Sequence, residues 1–305
     1  MVQAPDIWEP SSDSPTCNDR FRLHAASTYQ FNRTIGMNTQ YIKTRLIALL
    51  GEKPVLFLQA LRFIYLLYSK SNKDPEVALL QAFLDKGDTA IDVGASGANW
   101  TYWLHRRVGK TGMVYAFEAD PYYAAATNLV MKMLRMQGTQ LFPFGLSDAD
   151  EDVPLRIVDS AGMRLSGLSH VDKNANRQDG SVKVVNLKRL DSLIQENPRL
   201  LTTKLIKCDV EGYELFVFRG ATEVLERSRP FVILEAGRFE SQGYSARDLL
   251  EFFHSRDYAS FALIGNNVLA RTDKSMEHHS ALTVNRILLP KERLAGLQGK
   301  ISFRD

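Results

Sequence analysis

The sequence predicts an α/β protein built on a doubly wound, mostly parallel sheet. Three observations predict it. From about residue 72 onward, short β-like runs alternate with helical segments, the pattern of chains that lay helices on both faces of a sheet. The first run ends in Asp92-Val93-Gly94-Ala95-Ser96-Gly97, a glycine turn of the kind that open α/β sheets place beyond the carboxyl ends of their strands, where ligands bind. An acidic residue, Glu118, closes the second run, twenty-four positions after Gly94.

The elements follow in order. Residues 1–71 read as an N-terminal helical or irregular extension, and residues 72–305 as the α/β domain. The start is polar and rich in Pro and Ser, without the charged-then-apolar pattern of a signal peptide. The most apolar run, VLFLQALRFIYLLY from Val55 to Tyr68, is shorter than the roughly 20 residues of a membrane span. Gln59 and Arg62 interrupt it, three apart on one helical face. It is expected to pack as an amphipathic helix, on the domain or in a homo-oligomer, and to leave the protein cytoplasmic with no transmembrane segment. Asp74-Pro75 marks a helix start. Strands are expected at TAIDVG, MVYAFEAD, QLFPFG, VPLRIV, VKVVNLK, TKLIKCD, PFVILEA, YASFALI, NVLA and LTVNRILL. Helices are expected over residues 98–107, 124–136 and 247–255, with another through LFVF. Residues 169–181 and 272–280 read as mobile loops.

Composition narrows the function. The chain has 305 residues, 45% hydrophobic and 24% charged, with a formal net charge of +3. Its basic residues are scattered and form no block of five or six, so no nucleic-acid or membrane surface is advertised. Cys17 and Cys208 make no disulfide framework, and Cys208 reads as a small buried thiol. No HExxH, CxxC or GxSxG constellation appears.

The glycine turn and Glu118 together suggest a nucleoside site, because an acid at that distance takes the two hydroxyls of a ribose. The turn reads GASG followed by Ala98-Asn99-Trp100, without the third glycine of a dinucleotide fingerprint. Asp92 would repel a phosphate and attract an ammonium. S-Adenosylmethionine carries a ribose, an ammonium and a sulfonium but no phosphate, and fits better than NAD. Asp92 has a plainer alternative, a hydrogen bond that braces the loop. Asp148, after Phe144-Gly145-Leu146-Ser147, is placed at the end of the third strand. There it either accepts from an adenine amino group or serves as an ordinary capping aspartate.

The series IDVGASG, VYAFEADP, FGLSD, LKRLDSL, LIKCDVEGYELFVFRGA and FVILEAG resembles the FkbM-type methyltransferases over roughly residues 88–237. The KCDVEGYE segment with its downstream RGA is the most specific part. The resemblance implies a Rossmann-like methyltransferase sheet that binds S-adenosylmethionine, with Asp92, Gly94, Ala95, Gly97 and Glu118 at the cofactor. It also implies O-methylation of a small-molecule hydroxyl on a sugar, glycolipid or polyketide.

IKCDVEGYE places one lysine and three carboxylates where the chain otherwise reads as core. Strand alternation puts Leu205, Lys207 and Asp209 on one face. A lysine on a central strand needs an anion, to be found among Asp209, Glu211, Glu214 and Glu235. A purely structural ion-pair network is one reading. In the functional one, Asp209 is the general base or hydroxyl-orienting group and Lys207 holds it ionised, with Glu211 and Glu235 beside it. Asp209 and Glu235 could instead hold Mg²⁺, which takes oxygen ligands, but the lysine already supplies positive charge, and no metal is expected. His170, and the pair His278-His279, are loop histidines within reach of a base role or of plain solvation. The competing functions are an NAD-dependent oxidoreductase, a nucleic-acid methyltransferase (disfavoured by the acidic CDVEG) and a non-catalytic binding protein.

Overall fold

The computed structural model describes residues 51–69, 74–158, 169–237, 239–272 and 281–304. Most of the N-terminal extension and the His278-His279 pair lie outside them.

One half of the main sheet is parallel. Its strands are β1 (Thr89–Val93), β2 (Met113–Phe117), β3 (Thr139–Phe142), β8 (Thr203–Cys208) and β9 (Phe231–Glu235), in the spatial order β3-β2-β1-β8-β9. The other half continues from β9 through β12 (Asn285–Pro290), β10 (Tyr258–Gly265) and β11 (Val268–Arg271) in antiparallel pairing. β13 (Ser302–Arg304) closes the edge, parallel to β11. The central strands are near-continuous apolar runs because both faces are covered. β1 is buried at all five positions, and β8 at every position but Lys204.

On one face lie α1 (Glu52–Tyr68), the short α2 (Leu80–Phe83), α3 (Asn99–Val108) and α4 (Pro121–Met133). On the other lie α5 (Glu214–Arg219), α6 (Thr222–Ser228) and α7 (Ala246–His254). Their starts are written in the sequence. Asp120 caps α4 by accepting from the Tyr122 N–H, with Pro121 in the first turn. Ser245 and Asp248 form a capping box on α7. Asp191, from LKRLDSL, accepts from the N–H groups of Glu223 and Val224 and so tethers the start of α6.

α1 is the helix expected at Val55 to Tyr68. It packs on α4 and on the glycine turn, burying Val55, Ala60 and Leu67. Phe57, Leu58, Leu61, Tyr65 and Tyr68 remain exposed on it. Among the described residues no helix is long and apolar enough to cross a membrane.

Two expectations need correction. The third strand does not run on to Asp148. It stops at Phe142, and the chain enters a second sheet made of β4 (Gly145–Leu146), β5 (Glu151–Arg156), β6 (His170–Val171) and β7 (Val182–Lys188), in the order β4-β7-β5-β6. This sheet is mainly antiparallel and pairs β4 with β7, some forty residues away. Residues 169–181, expected as a loop, begin with β6. Arg156 is anchored there by an ion pair to Asp172, 2.9 Å.

The RGA of the long motif has a steric cause. A Cβ on Gly220 would stand 1.8 Å from the Ser147 carbonyl oxygen, so the end of α5 presses its bare backbone onto the residue that directly follows β4. Gly220→Ala must therefore push two backbones apart. It is expected to lower stability by about 3 kcal/mol or more, at the upper end for overpacked sites, read as a fall in the thermal midpoint. An unchanged midpoint would show that this contact is loose.

Candidate active site

A cavity of about 340 Å³ opens at the carboxyl ends of β1, β2, β8 and β9, with the second sheet as its far wall. This is where an open parallel sheet accepts ligands, and the volume suits a small-molecule site. Gly94, Ala95, Glu118, His170, Asp209, Glu211 and Glu235 line it together. Asp92, Gly97 and Asp148 do not.

The glycine turn is held by β2. The N–H groups of Gly94 and Ala95 both donate to the Phe117 carbonyl, at 2.9 and 3.0 Å. Gly94 has φ +84°, and a Cβ there would lie 1.9 Å from the Asp209 carbonyl oxygen. The close approach that requires glycine is therefore between strand ends, β1 against β8. Gly97 serves packing: a Cβ would meet the Phe63 ring of α1 at 2.7 Å, and its N–H donates to Thr127 Oγ1 at 3.0 Å.

Asp92 takes the bracing role. It is buried beneath α3 and accepts from the Thr101 hydroxyl. Burial pushes its carboxyl up to about 6, with the Thr101 hydrogen bond and Lys207 pulling the other way. Asp148 accepts from the Ser147 hydroxyl at 3.2 Å.

Glu118 sits at the mouth of β2, 8% exposed, and its Oε1 accepts from the Asp120 N–H at 2.8 Å. Burial, with Asp120 and Asp92 nearby, pushes its carboxyl up to about 8. Asn99, the first residue of α3, also lines the cavity. Its Oδ1 is buried with no hydrogen-bond partner among the described residues, an acceptor left over for a ligand.

IKCDVEGYE divides into two halves. Lys207 is 1% exposed, and its Nζ lies 3.5 Å from Asp209 Oδ2, the same-face pairing that alternation predicts. Burial alone would lower the ammonium pKa, but Asp209 first, then Cys208, Asp74 and Glu235, hold it above the ordinary lysine value. Asp209 itself is half-exposed in the cavity. Glu214 faces the other way: its Oε1 accepts from the N–H groups of Val210 and Gly212, and Tyr244 donates to its Oε2. It is the brace of the turn rather than the partner of Lys207. Burial, against those backbone hydrogen bonds, pushes it up to about 7.

The braced turn holds Glu211 at φ +57° and Gly212 at φ +98°. A left-handed glutamate is uncommon and marks a constrained site. It brings one oxygen each of Asp209, Glu211 and Glu235 within 4.8 Å of one another. Glu235 is pushed up to about 8 by burial, then by the charges of Asp209 and Glu211. Glu235 therefore keeps its proton at neutral pH.

Several lining residues lay beyond sequence reasoning. Asp74 reads as a helix cap, but its Oδ2 accepts from Trp100 Nε1 at 2.6 Å at the edge of the cavity. Tyr123, in the first turn of α4, and Tyr213, just ahead of α5, line the same space.

A parallel sheet with a glycine turn on its first strand, an acid on its second and carboxylates on its fourth and fifth is that of the Rossmann-like S-adenosylmethionine-dependent methyltransferases. The particular family follows from comparison: a family model of the methyltransferase FkbM domain matches residues 92–260, more than half of the chain, and the chain belongs to that family. "Methyltransferase 1" of Beauveria bassiana (strain ARSEF 2860) is 25% identical over 173 residues, covering 53% of this chain and 69% of its own. Among solved structures, the chain is similar to methyltransferase FkbM from Methylobacillus flagellatus KT, with TM-score 0.44, 15% identity and 75% of this chain covered. It spans 54% of that structure's chain. It is also similar to a SAM-dependent O-methyltransferase from Thermotoga maritima, with TM-score 0.37, 12% identity, and 70% and 61% of the two chains covered.

The raised Glu118 carboxyl has a consequence for stability. The folded chain keeps this proton to about pH 8, against 4.5 for an ordinary glutamate. Its contribution to stability is therefore complete below about pH 4.5 and is lost as pH rises through about 8. Glu118→Gln cannot titrate and is expected to flatten the decline of the thermal midpoint across that window. Parallel midpoint-against-pH curves for the two proteins would contradict the assignment.

Proposed function

We propose that this protein is an O-methyltransferase that transfers the methyl group of S-adenosylmethionine to a hydroxyl of a small molecule, a sugar, glycolipid or secondary metabolite. The observation that carries this reading is the sharing of one cavity by Glu118 and the Asp209, Glu211 and Glu235 cluster. Glu118 would take the ribose hydroxyls. The orphaned Asn99 oxygen would take the methionine ammonium, the role that Asp92 is too deeply buried to fill. Among the described residues no lysine or arginine lines the cavity, which suits a cofactor without phosphate and an acceptor without one. When bound, the cofactor supplies an electrophilic methyl group on a sulfonium.

The protein's own part is positioning and proton handling. Methyl transfer is an in-line displacement, so most of the acceleration comes from holding the hydroxyl oxygen against the methyl carbon. Asp209, braced from behind by Lys207, would accept the hydrogen bond of the acceptor and take its proton as the new C–O bond forms. The Lys207 ammonium already gives Asp209 its cation, so the reading needs no metal. His170, on β6 at the far wall of the cavity, would contact the acceptor. Self-association through α1 and a cytoplasmic setting belong to the same reading, the first supported by the exposed row from Phe57 to Tyr68.

Three results test it. Glu118→Ala is expected to weaken S-adenosylhomocysteine binding by about 0.5–1.5 kcal/mol for each ribose hydrogen bond lost, the worth of a bond to a carboxyl that is neutral at pH 7, read by calorimetry. Asp209→Asn keeps the shape and is expected to lower single-turnover methyl transfer about 10²–10⁴-fold, measured with a panel of sugar and polyketide acceptors, with and without a chelator. A normal rate in that variant would remove Asp209 from the mechanism, and abolition by the chelator would replace the lysine account with a metal. Lys207→Met removes the buried cation beside Asp209 and is expected to lower stability, by less than the roughly 3–5 kcal/mol of a fully buried pair because Asp209 is half-exposed. A thermal midpoint equal to the parent's would deny that Lys207 is part of a buried pair.

A further inference from the structure

The family domain ends at residue 260, yet the cation behind Asp209 is fixed by residues outside it. Lys207 Nζ donates to Asn285 Oδ1 at 3.2 Å, and both side chains are buried. The ammonium also lies over the Trp100 ring, 5.4 Å from its centroid, and Trp100 is in turn fixed by Asp74. Asn285 opens β12, directly opposite Glu235 in the β9 register. It is held there by its own N–H, which donates to Thr283 Oγ1 at 3.2 Å. The Thr283 hydroxyl donates to Glu76, which is fully buried. Residues 74–76 and 283–285, more than two hundred positions apart, thus clasp each other across the back of the site.

The chemistry of Asn285 matters because it is neutral. An ammonium has three donors. A carboxylate in this place would neutralise the lysine, and an apolar side chain would leave its proton unsatisfied and turn it toward Asp209. An amide oxygen takes one donor without adding charge. The carboxyl groups facing Lys207 are Asp92 from β1, Asp209 just past the end of its own strand, Glu235 from β9 and Asp74 ahead of α2. Asn285 is the member of that ring that cannot ionise.

We propose that Asn285 is a positioning residue for Asp209: its amide oxygen draws the Lys207 ammonium back from the carboxylate, which keeps its negative charge turned to the cavity where the methyl group passes. The proposal rests on the reading that the cofactor sulfonium faces Asp209. Its test needs no acceptor. Sinefungin carries an ammonium on the carbon that replaces the methylated sulfur of the cofactor, and S-adenosylhomocysteine is neutral there. Their affinity ratio, measured by calorimetry at one pH, therefore reports the charge presented at that point.

The parent protein is expected to favour sinefungin. Asn285→Leu is expected to cut the ratio by about tenfold, as the freed ammonium closes on Asp209. Asn285→Asp is expected to raise the ratio, because it pulls the ammonium the other way. If Asn285→Leu does not fold, Asn285→Ser, too short to reach the ammonium, carries the same expectation. A ratio within about twofold of the parent's in the folded Leu or Ser variant, with S-adenosylhomocysteine bound normally, would overturn the role of Asn285 and leave the cofactor site standing. Failure of the parent to bind S-adenosylhomocysteine, or to favour sinefungin, would overturn the cofactor reading and this proposal with it.

Discussion

A protonated lysine buried near the carboxyl end of a central strand is the constraint around which this molecule is arranged. Removing an ammonium from water costs several kcal/mol unless charge and hydrogen bonds are returned to it. Lys207 is 1% exposed, and its surroundings return both. Asp209 supplies the counter-charge two residues on, Asn285 a neutral acceptor from β12, and Trp100 a π-face from α3. Each comes from a different element. The ammonium therefore ties the parallel half of the sheet to the antiparallel half and to the helix behind the glycine turn.

The same economy governs the backbone around it. β1 and β8 approach so closely at their carboxyl ends that only glycine fits at position 94. The turn after β8 then folds over Glu214, whose carboxyl satisfies two N–H groups that would otherwise be stranded in the core. These contacts bring three carboxylates to one point. Mutual repulsion and burial there are relieved by keeping one proton, and Glu235 is the group raised to hold it.

Much of this was legible in the sequence, for physical reasons that particular residues make plain. The strands and helices of the parallel half announce themselves by alternation and by a helix start such as Asp120-Pro121. The pairing of Lys207 with Asp209 follows from the two-residue period of a strand. Glu118 follows from its place after the glycine turn. What stayed hidden depends on long-range placement. β4 and β7 pair across some forty residues, so nothing local reveals a second sheet. Asp92 stands next to the glycine turn in the chain but points beneath α3 to Thr101. Glu214 sits among site residues yet turns back into the core. Asn285 is seventy-eight positions from the lysine it holds, and only the antiparallel return of β12 beside β9 brings it there.

The central claim is that the cavity at the ends of β1, β2, β8 and β9 holds the cofactor with its sulfur toward Asp209. A crystal structure of the full chain with S-adenosylhomocysteine tests it most directly. The account predicts the ribose hydroxyls on Glu118, the methionine ammonium near Asn99, and the sulfur facing the cluster of Asp209, Glu211 and Glu235. A nucleoside bound elsewhere, or a sulfur turned away from that cluster, would contradict it.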